Sequence, residues 1–591
     1  MQLKTGELEQ QSVVHPHMTL AYYLPPELKL AITSSHARAE EALIRNAGLS
    51  PYDYSSPSAM GTFRKEASRA GARIKIGYVS ASFKSKAVLY LAQDVIGLHD
   101  RARFEVHVYA TTPPDDPIFL EKAMRGVDWR QKIRDNVEYF HEADGKDVAQ
   151  LAELIHGHGL HILIDWDGYS NNGVRATGLF PIQSAPIQVA HQEYVGTMGA
   201  RYFQYLITDI VSSPDETWKH YAEKLIILPR TFLANSFAYQ APHLEPPLQE
   251  LPKRRQPAIN GCGGARATFV YCNFGKHLKF DPDTFRAWLQ TLQAVPGSVL
   301  CLLENPVESR ENIVSFVKKT DPKLVPRVRF MPFISNPYDN HRRVVDLCNV
   351  VLDTTVYNGH TTNAESLWAA VPVVTRSNVV DMSSRVGVSS LMTLGIPELI
   401  ANSTQEYLEL GAKIGLDPVF FKSVRDKLVA STRCSVAEGL PMNPYWDLLR
   451  YVRNLENGLE RVWRNFLDEK VAENVITGDV GPMLDGAVVC PGVVVVGGRR
   501  WERGELYPED GDSDDVEGGA EGEVGTEKEG EEEEEGGDGG GDGEEEEAPK
   551  PKKRRMRKMR AKGKNLKKRR KGRKGRKRRR ERRRRTETEE L

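Results

Sequence analysis

Cysteine is scarce in this sequence, and none of the cysteines follows a metal-binding spacing. None forms a CxxC pair, and none has a histidine at zinc-finger spacing. The six are Cys262, Cys272, Cys301, Cys348, Cys434 and Cys490. We therefore expect reduced cysteines and an intracellular compartment.

Long hydrophobic runs are also absent. The N-terminal stretch MQLKTGELEQQSVVHPHM lacks the apolar core of a signal peptide. The longest late apolar stretch, VVVVGG with its neighbours, is far too short to span a bilayer. The sequence therefore predicts a soluble protein without a membrane partner.

Net charge is missing as well, because two oppositely charged segments cancel in a formal sum of +0. Residues 502–547 hold 23 Asp and Glu, and residues 550–585 hold 26 Lys and Arg. Residues 1–501 carry about 53 basic and 54 acidic residues, which argues against a nucleic-acid-coated core. Any affinity for polyanions is therefore expected from the tail alone.

The tail itself is predicted to be disordered. Gly/Glu repeats followed by Lys/Arg repeats lack the apolar surface that would offset chain entropy, so we assign residues 476–591 to an acidic, then basic, disordered tail. The basic run is typical of a nuclear address and of an RNA contact. The alternative is an unselective polycation that pairs with the preceding acidic run. We expect a location in nucleus and cytoplasm, with RNA or acidic partners for the tail.

Two parts of the chain alternate short β-rich runs with helix-compatible segments. The runs are IKIGYV, FEVHVYA, LHILIDW, PIQVAH, YLITD and KLIILP, then ATFVYCNF, SVLCLLE, VRFMPF, NVVLDT and VPVVTR. This alternation is typical of parallel sheets wrapped by helices. The sequence predicts an α/β protein with two Rossmann-like lobes. Its parts are a helical linker 1–70, a first lobe 71–240, a Pro- and Gly-rich interlobe linker 241–266 and a second lobe 267–475.

A polar turn in the second lobe is a candidate phosphate site. The stretch VVLDTTVYNGHTTNAESLWAAVPVVT, residues 350–375, predicts a strand, a turn, a helix and a strand. A helix start offers unpaired N–H groups and a partial positive charge, so two hydroxyls and an imidazole placed there form a cradle for phosphate. Taken alone, the turn is more simply an ordinary helix cap.

Ten sequence blocks together resemble a known family. They are SVVHPHM, IKIGYVSASF, GLHILIDWDGY, APIQV, YVGTMGA, YLITDIVSSP, EKLIILPRTF, VYCNFGKHLKFDPDTF, LDTTVYNGHTTNAESLWAAVPVVT and SRVGVSSLMTLG. In this order, from about residue 12 to 470, they resemble the catalytic region of the O-linked N-acetylglucosamine transferases, with the SPINDLY-type protein O-fucosyltransferases as relatives. The resemblance implies a two-lobed GT-B type glycosyltransferase fold and metal-free, inverting transfer from a nucleotide sugar to Ser or Thr of proteins.

The resemblance also implies which residues hold the donor. Lys279 matches the lysine that binds the donor diphosphate, and its ammonium would stabilise charge on the leaving group. His341 matches a histidine against the uracil, and Glu365 stands at a ribose-binding aspartate. The full implied donor-binding set is Lys276, Lys279, His341, His360, Thr361, Thr362 and Glu365.

Several positions depart from the family pattern near the transferred sugar. Lys86 stands where the family pattern after the first strand has a histidine, so a near-neutral proton acceptor is lost there, unless desolvation lowers the lysine pKa. Lys276 replaces a glutamine of the nucleotide site. His156 matches a second family histidine that lines the cleft, although a satisfied structural histidine is the simpler interpretation. We predict Lys279, His156 and Lys86 as the catalytic residues.

Asp165 and Asp167 are an alternative metal site, because carboxylates one residue apart hold a metal in other sugar transferases. In the family that this sequence resembles, Lys279 and a helix start neutralise the diphosphate instead. We therefore expect no metal and no cofactor beyond the donor, UDP-N-acetylglucosamine.

The sequence leaves three functions open. The leading hypothesis is a protein O-GlcNAc transferase that acts on Ser and Thr of intracellular proteins. The second is a protein O-fucosyltransferase that uses GDP-fucose, and the third is a catalytically silent nucleotide-binding scaffold whose basic tail binds RNA or other partners. The family's 34-residue helical repeats, which select protein substrates, do not precede this region in the sequence.

Overall fold

The computed structural model describes most of the chain up to residue 501. The described residues are 10–170, 178–240, 244, 262, 269–377, 381–435, 438–481, 483–484, 487–490, 493–496 and 499–501. By its contacts the chain divides into two units, residues 1–511 and 512–591, and all described residues belong to the first unit. Apart from residues 244 and 262, the predicted interlobe linker lies outside the described residues.

Between residue 10 and the first strand, where the sequence predicts a helical linker, the structure has three helices. They are α1 (Pro16–Thr19), α2 (Pro26–Asn46) and α3 (Pro57–Ala67). Each begins with a proline, whose fixed φ suits the first helical turn and whose missing N–H costs nothing there. The hydroxyl of Ser56 caps α3 by accepting a hydrogen bond from the Ala59 N–H.

The first lobe is a parallel sheet with helices between its strands. Its strands are β1 (Ile74–Ser80), β2 (Phe104–Ala110), β3 (Tyr139–Glu142), β4 (Ile162–Asp165), β5 (Ile187–Ala190), β6 (Tyr205–Asp209) and β7 (Lys224–Leu228). They lie in the order β7-β6-β5-β4-β1-β2-β3. The helices are α4 (Ala87–Ala92), α5 (Pro117–Ala123), α6 (Trp129–Arg134) and α7 (Val148–Gly157), with 3-10 turns at Ile96–Leu98, Phe180–Ile182, Asp215–His220 and Phe237–Tyr239. Strands β4, β5 and β6 are buried along their whole length, as expected of a sheet covered on both faces.

The second lobe repeats this plan with six parallel strands. They are β8 (Phe269–Asn273), β9 (Ser298–Leu303), β10 (Val328–Met331), β11 (Val350–Leu352), β12 (Val373–Arg376) and β13 (Ile400–Ala401), in the order β10-β9-β8-β11-β12-β13. The helices are α8 (Pro282–Ala294), α9 (Ser309–Thr320), α10 (Pro337–Leu347), α11 (Thr361–Trp368), α12 (Val386–Leu394), α13 (Thr404–Leu416) and α14 (Pro418–Ser431). The 3-10 turns are His277–Lys279, Pro322–Arg327, Met382–Ser384 and Pro397–Leu399. The prediction of two Rossmann-like lobes is therefore confirmed.

The last helix and the strand after it belong to the first lobe rather than the second. Helix α15 (Leu448–Leu467) packs on β7, where a Cβ added to Gly458 would lie 2.5 Å from the Ile226 side chain. Strand β14 (Val475–Ile476) then pairs in parallel with β7. The predicted second lobe, 267–475, therefore extends too far. The spacing of apolar residues in α15 predicts that one face of the helix is buried, but it does not indicate which lobe covers that face.

The described structure also continues past residue 476, the predicted start of the disordered tail. The Asp479 carboxylate accepts hydrogen bonds from Arg450 at 2.7 Å and from Arg230 at 2.9 Å. An antiparallel sheet follows, formed by β15 (Met483–Leu484), β16 (Ala487–Cys490), β17 (Val493–Val496) and β18 (Arg499–Trp501). The predicted start of the tail is therefore too early. Residues 502–591, with both charged runs, lie outside the described residues.

All six cysteines are paired, contrary to the sequence prediction of reduced thiols. The disulfides are Cys262–Cys301, Cys272–Cys348 and Cys434–Cys490. The paired residues are 39, 76 and 56 positions apart, so only the tertiary fold brings them together. The cysteine-based argument for a reducing compartment therefore fails.

The longest helices among the described residues, α2 with 21 residues and α15 with 20, both carry many charged residues. Within the described part of the chain, no helix is both long enough and apolar enough to cross a membrane.

Candidate donor site

The turn between β11 and α11 is built around one buried carboxylate. Asp353, directly after β11, accepts hydrogen bonds from the Gly359 N–H and from the Thr375 hydroxyl, each at 2.8 Å. Burial raises the pKa of Asp353 to about 6, although these hydrogen bonds and the Lys279 charge oppose the shift. The carboxylate therefore fixes the path of the turn that leads into the helix.

Two neighbouring residues leave this turn little freedom. The side-chain amide of Asn358 donates to the Thr354 carbonyl at 2.6 Å and accepts from the Gly387 N–H at 3.0 Å. A Cβ on Gly359 would lie 2.3 Å from the Asn363 side chain and 2.6 Å from the Thr362 hydroxyl oxygen. A side chain at position 359 would therefore displace the Asn363 and Thr362 side chains, which lie at the start of α11.

The N-terminus of α11 lacks the side-chain cap that the simpler interpretation of this turn requires. His360 is the N-cap residue, and its side chain makes no capping hydrogen bond. Thr361 and Thr362 follow, both half-buried. The first N–H groups of a helix have no partner within the helix, so together with the two hydroxyls they can bind an anion.

Lys279 reaches this turn from the segment that follows β8. Its ammonium donates to the Asn358 carbonyl at 2.8 Å and lies 3.8 Å from the centre of the Tyr357 ring. Burial, helped by the charge of Lys276, lowers the pKa of Lys279 to about 8, although Asp353 opposes this. The side chain therefore remains mainly protonated at pH 7, which places a cation beside the helix start.

His17 also lies in this site, and the sequence prediction gave it no role. Its ring packs edge-on against Tyr357 at 6.1 Å between ring centres. Burial and the nearby Lys279 charge lower the pKa of His17 to about 4, and the same causes lower that of His360 well below 6.5. Among the described residues the buried Nδ1 of His17 has no hydrogen-bond partner. The only signal in the sequence was its place within the block SVVHPHM.

The other residues predicted to bind the nucleotide differ in their exposure to solvent. Lys276 is exposed and comes just before the 3-10 turn that carries Lys279. His341 is buried on α10, where burial lowers its pKa to about 4, and its Nδ1 has no partner within the described structure. The adjacent Asn340 donates to Glu365 of α11 at 2.8 Å, so α10 and α11 are in direct contact here.

Glu365 joins the two lobes. One of its carboxylate oxygens accepts from the Tyr90 hydroxyl of α4 at 3.2 Å, and the other accepts from Asn340. Glu365 is buried, and burial raises the pKa of its carboxyl to about 7. A ribose hydroxyl would therefore have to share a carboxylate that the protein already uses at the lobe contact.

We expect Glu365→Gln to remove one component of the pH dependence of stability. Burial raises the folded-state pKa of Glu365 from 4.5 to about 7. The contribution of this carboxyl to the free energy of unfolding is therefore fully present below pH 4.5 and is lost as the pH rises through about 7. The loss is about 3 kcal/mol at most. Urea unfolding at about pH 5 and about pH 8 measures it. Wild type should lose more stability between these values than the variant, and Glu311→Gln, an exposed control on α9, should behave like wild type. Equal losses in all three proteins would contradict this assignment.

Lys86 lies on the first lobe, at the start of α4, the helix whose Tyr90 contacts Glu365 of α11. It is exposed at the N-cap of α4, one helical turn before Tyr90, the residue that contacts Glu365. The loop that leads to it is held by Asp167, which accepts hydrogen bonds from the Ser80 hydroxyl and the Ala81 N–H. The Asp167 carboxylate therefore holds the loop that leads to Lys86, and the Lys86 charge lies near enough to act on Asp167.

His156 does not join these residues, contrary to the prediction that it lines the cleft. It is exposed near the end of α7, where it stacks on Tyr52 with ring centres 3.6 Å apart and bonds the Tyr54 hydroxyl at 2.9 Å. A helix that links two parallel strands ends at the edge opposite the strands' carboxyl ends. His156 therefore lies at the other edge of the sheet from Lys86, and its partners are structural.

Comparison with known proteins agrees with this architecture. The family model described as Glycosyl transferase family 41 matches residues 2–253 and 262–438. A solved structure of a Thermobaculum terrenum O-GlcNAc transferase carrying a lysine-to-methionine substitution superposes with a TM-score of 0.61 at 23% identity, over 77% of this chain and 79% of that one. The two parallel sheets and this neighbour together define a GT-B fold.

Two curated relatives are similar over the same region. The probable UDP-N-acetylglucosamine-peptide N-acetylglucosaminyltransferase SEC of Arabidopsis thaliana is 30% identical over 76% of this chain and 43% of its own length. The UDP-N-acetylglucosamine-peptide N-acetylglucosaminyltransferase of Caenorhabditis elegans is 27% identical over 77% of this chain and 46% of its own. The chain thus spans less than half the length of these relatives. Because the family model matches most of its residues, the chain belongs to glycosyl transferase family 41.

Proposed function

We propose that the chain transfers N-acetylglucosamine from UDP to Ser and Thr hydroxyls of proteins, with inversion and without a metal. The observation that carries this proposal is the position of the Lys279 ammonium against the turn that begins α11. A cation and a set of helix N–H groups converge there, as two linked phosphoryl groups require. The names of both curated relatives, which specify UDP-N-acetylglucosamine and a peptide, support the choice of donor and acceptor.

In this reaction the acceptor oxygen attacks the anomeric carbon while the bond from that carbon to the diphosphate breaks. Lys279 and the start of α11 stabilise the charge that develops on the departing UDP. The acceptor hydroxyl loses its proton to His17, whose Nδ1 lacks a partner in the described structure and whose pKa is low enough to keep the ring neutral. Bound diphosphate raises the proton affinity of this imidazole, because a nearby negative charge favours the charged ring.

His17 also bears on the alternative of a catalytically silent scaffold. That alternative was motivated in part by Lys86, which stands in place of a family histidine and so removes a near-neutral proton acceptor. An imidazole close to Lys279 and Tyr357 supplies such an acceptor from the N-terminal segment instead. Lys86 then serves as a contact for the sugar or phosphate from the first lobe.

The donor is tested by competition between nucleotides. We expect the purified full chain to bind UDP at least about tenfold more tightly than GDP, measured by calorimetry, and to release UDP when given UDP-N-acetylglucosamine and a peptide mixture. Tighter binding of GDP would favour the O-fucosyltransferase alternative. Binding of neither nucleotide would overturn the assignment of the site.

A further inference from the structure

Three histidines form a compact cluster at the outer edge of the first lobe, in a part of the molecule that the donor site does not use. They are His107, His141 and His158, and one nitrogen from each lies within 4.8 Å of the others. His107 is buried, while His141 and His158 are half-buried. The cluster is therefore part of the fold and still reachable from solvent.

The topology of the sheet creates this cluster from distant parts of the sequence. Strands β2 and β3 pair in parallel, with His107 opposite Tyr139 and Tyr109 opposite His141. Alternate residues of a strand share a face, so all four rings stand on one side of the sheet. His158, the residue that follows α7, packs on this face with its ring centre 4.4 Å from that of His141.

The spacing of the nitrogens is close to that of a metal site. In a tetrahedral zinc site the ligand nitrogens are about 3.4 Å apart, because each Zn–N bond is about 2.0–2.1 Å long. His107 Nδ1 and His141 Nε2 are 3.1 Å apart. A small rotation of the half-buried His141 and His158 rings would complete a three-nitrogen set.

Outer partners orient two of the three rings for this purpose. The Glu105 carboxylate lies 3.1 Å from His107 Nε2, so that nitrogen carries the proton and the lone pair on Nδ1 faces the cluster. The Tyr109 hydroxyl lies 2.8 Å from His158 Nδ1, which leaves Nε2 of that ring for a ligand. Carboxylates and other polar groups that hold the second nitrogen of a histidine are typical of metal sites.

The charges around the cluster are mixed. Lys75 lies near enough to lower the pKa of His107 and His158, and it opposes a cation. Glu105 lies against His107 but also pairs with Arg73 at 3.0 Å, so it offsets the Lys75 charge only in part. Burial and the neighbouring histidines lower the pKa of His141 to about 4, so its ring is neutral at pH 7, as a metal ligand must be.

We propose that His107, His141 and His158 bind one Zn²⁺ ion, with its fourth position open to solvent. Three imidazoles favour zinc over magnesium or calcium, which prefer oxygen ligands. His158 also lines an open surface depression together with Gln150, Glu153 and Gly157, which gives an ion a route to the cluster. The bound ion would tie β2, β3 and the end of α7 together and so stabilise the outer edge of the first lobe.

The test is zinc binding by the full chain, purified with a histidine-free tag and stripped with a chelator. We expect calorimetry to show one Zn²⁺ per chain, a raised Tm with zinc and no comparable effect of Mg²⁺. His158→Gln and His141→Asn, both at half-buried positions, should each weaken zinc binding by at least about tenfold. His156→Gln is the matched control, because His156 lies two residues before His158, near the end of α7, but bonds Tyr54, and it should bind zinc like wild type.

Two results would overturn the proposal. One is the absence of zinc binding by a wild-type chain that is folded by circular dichroism. The other is zinc binding that both His158→Gln and His141→Asn retain at full strength, as expected if the acidic run at 502–547 holds the ion. Neither result depends on sugar transfer, so the outcome is independent of the proposed function.

Discussion

Replacing Lys279 with methionine should reduce sugar transfer by roughly 10²–10³-fold. Methionine keeps much of the side-chain length and removes the charge, so the departing diphosphate loses the cation that lies 2.8 Å from the Asn358 carbonyl. The effect on kcat should exceed the effect on UDP affinity, because charge on the leaving group is greatest in the transition state. Release of UDP in steady-state assays and UDP binding by calorimetry measure the two quantities separately.

Two further variants test whether the loss of activity comes from the charge at position 279. Lys319→Ala removes an exposed lysine on α9 and should leave both quantities unchanged. Lys279→Arg keeps the charge but changes its geometry, and it should fall between wild type and Lys279→Met. A Lys279→Met protein with wild-type turnover would remove the main support for the donor site.

His17→Phe is expected to have the second largest effect, a loss of about 10²-fold in kcat. Phenylalanine keeps a ring against Tyr357 but cannot accept a proton, so UDP affinity should change by less than about threefold. Wild-type kcat/KM should stay level down to pH 6.5 and fall on the acid side as the pH approaches about 4, the pKa of His17 in the free protein. The variant should lack this acid limb.

His220→Phe provides the matched control, because His220 is a half-buried histidine that lies near Glu27 at the surface. It should keep normal turnover and a normal pH profile. If His17→Phe instead lowered only the Tm and left kcat and the acid limb intact, His17 would be a packing residue and the proton acceptor would lie elsewhere.

The strands of both lobes could largely be predicted from the sequence. Runs such as IKIGYV and NVVLDT are apolar, short and bounded by polar segments, and they correspond to β1 and β11. Strand β3 was missed because its sequence, YFHE, is short and only partly buried. An edge strand has one neighbour, so its sequence carries less of the apolar signal that identifies buried strands.

The contents of the candidate site were only partly predictable. The helix start after Gly359 could be identified from its motif and the lysine at 279 from the family resemblance, and the structure brings both together. The positions of His17 and His156 in the fold could not be predicted in this way. His17 lies against Tyr357, whereas His156 stacks on Tyr52 at the opposite edge of the sheet.

By itself, the sequence determined the elements of this protein, since the period of apolar residues and the residues at turns and helix starts act over a few neighbouring positions. Only the tertiary structure decided which distant segments meet. In the structure α15 and β14 belong to the first lobe, and cysteines up to 76 positions apart are paired. His107, His141 and His158 lie together on one face of the sheet. The physical reason is that such contacts depend on the order and register of strands in a sheet, which burial of the whole apolar surface selects and which no local pattern encodes.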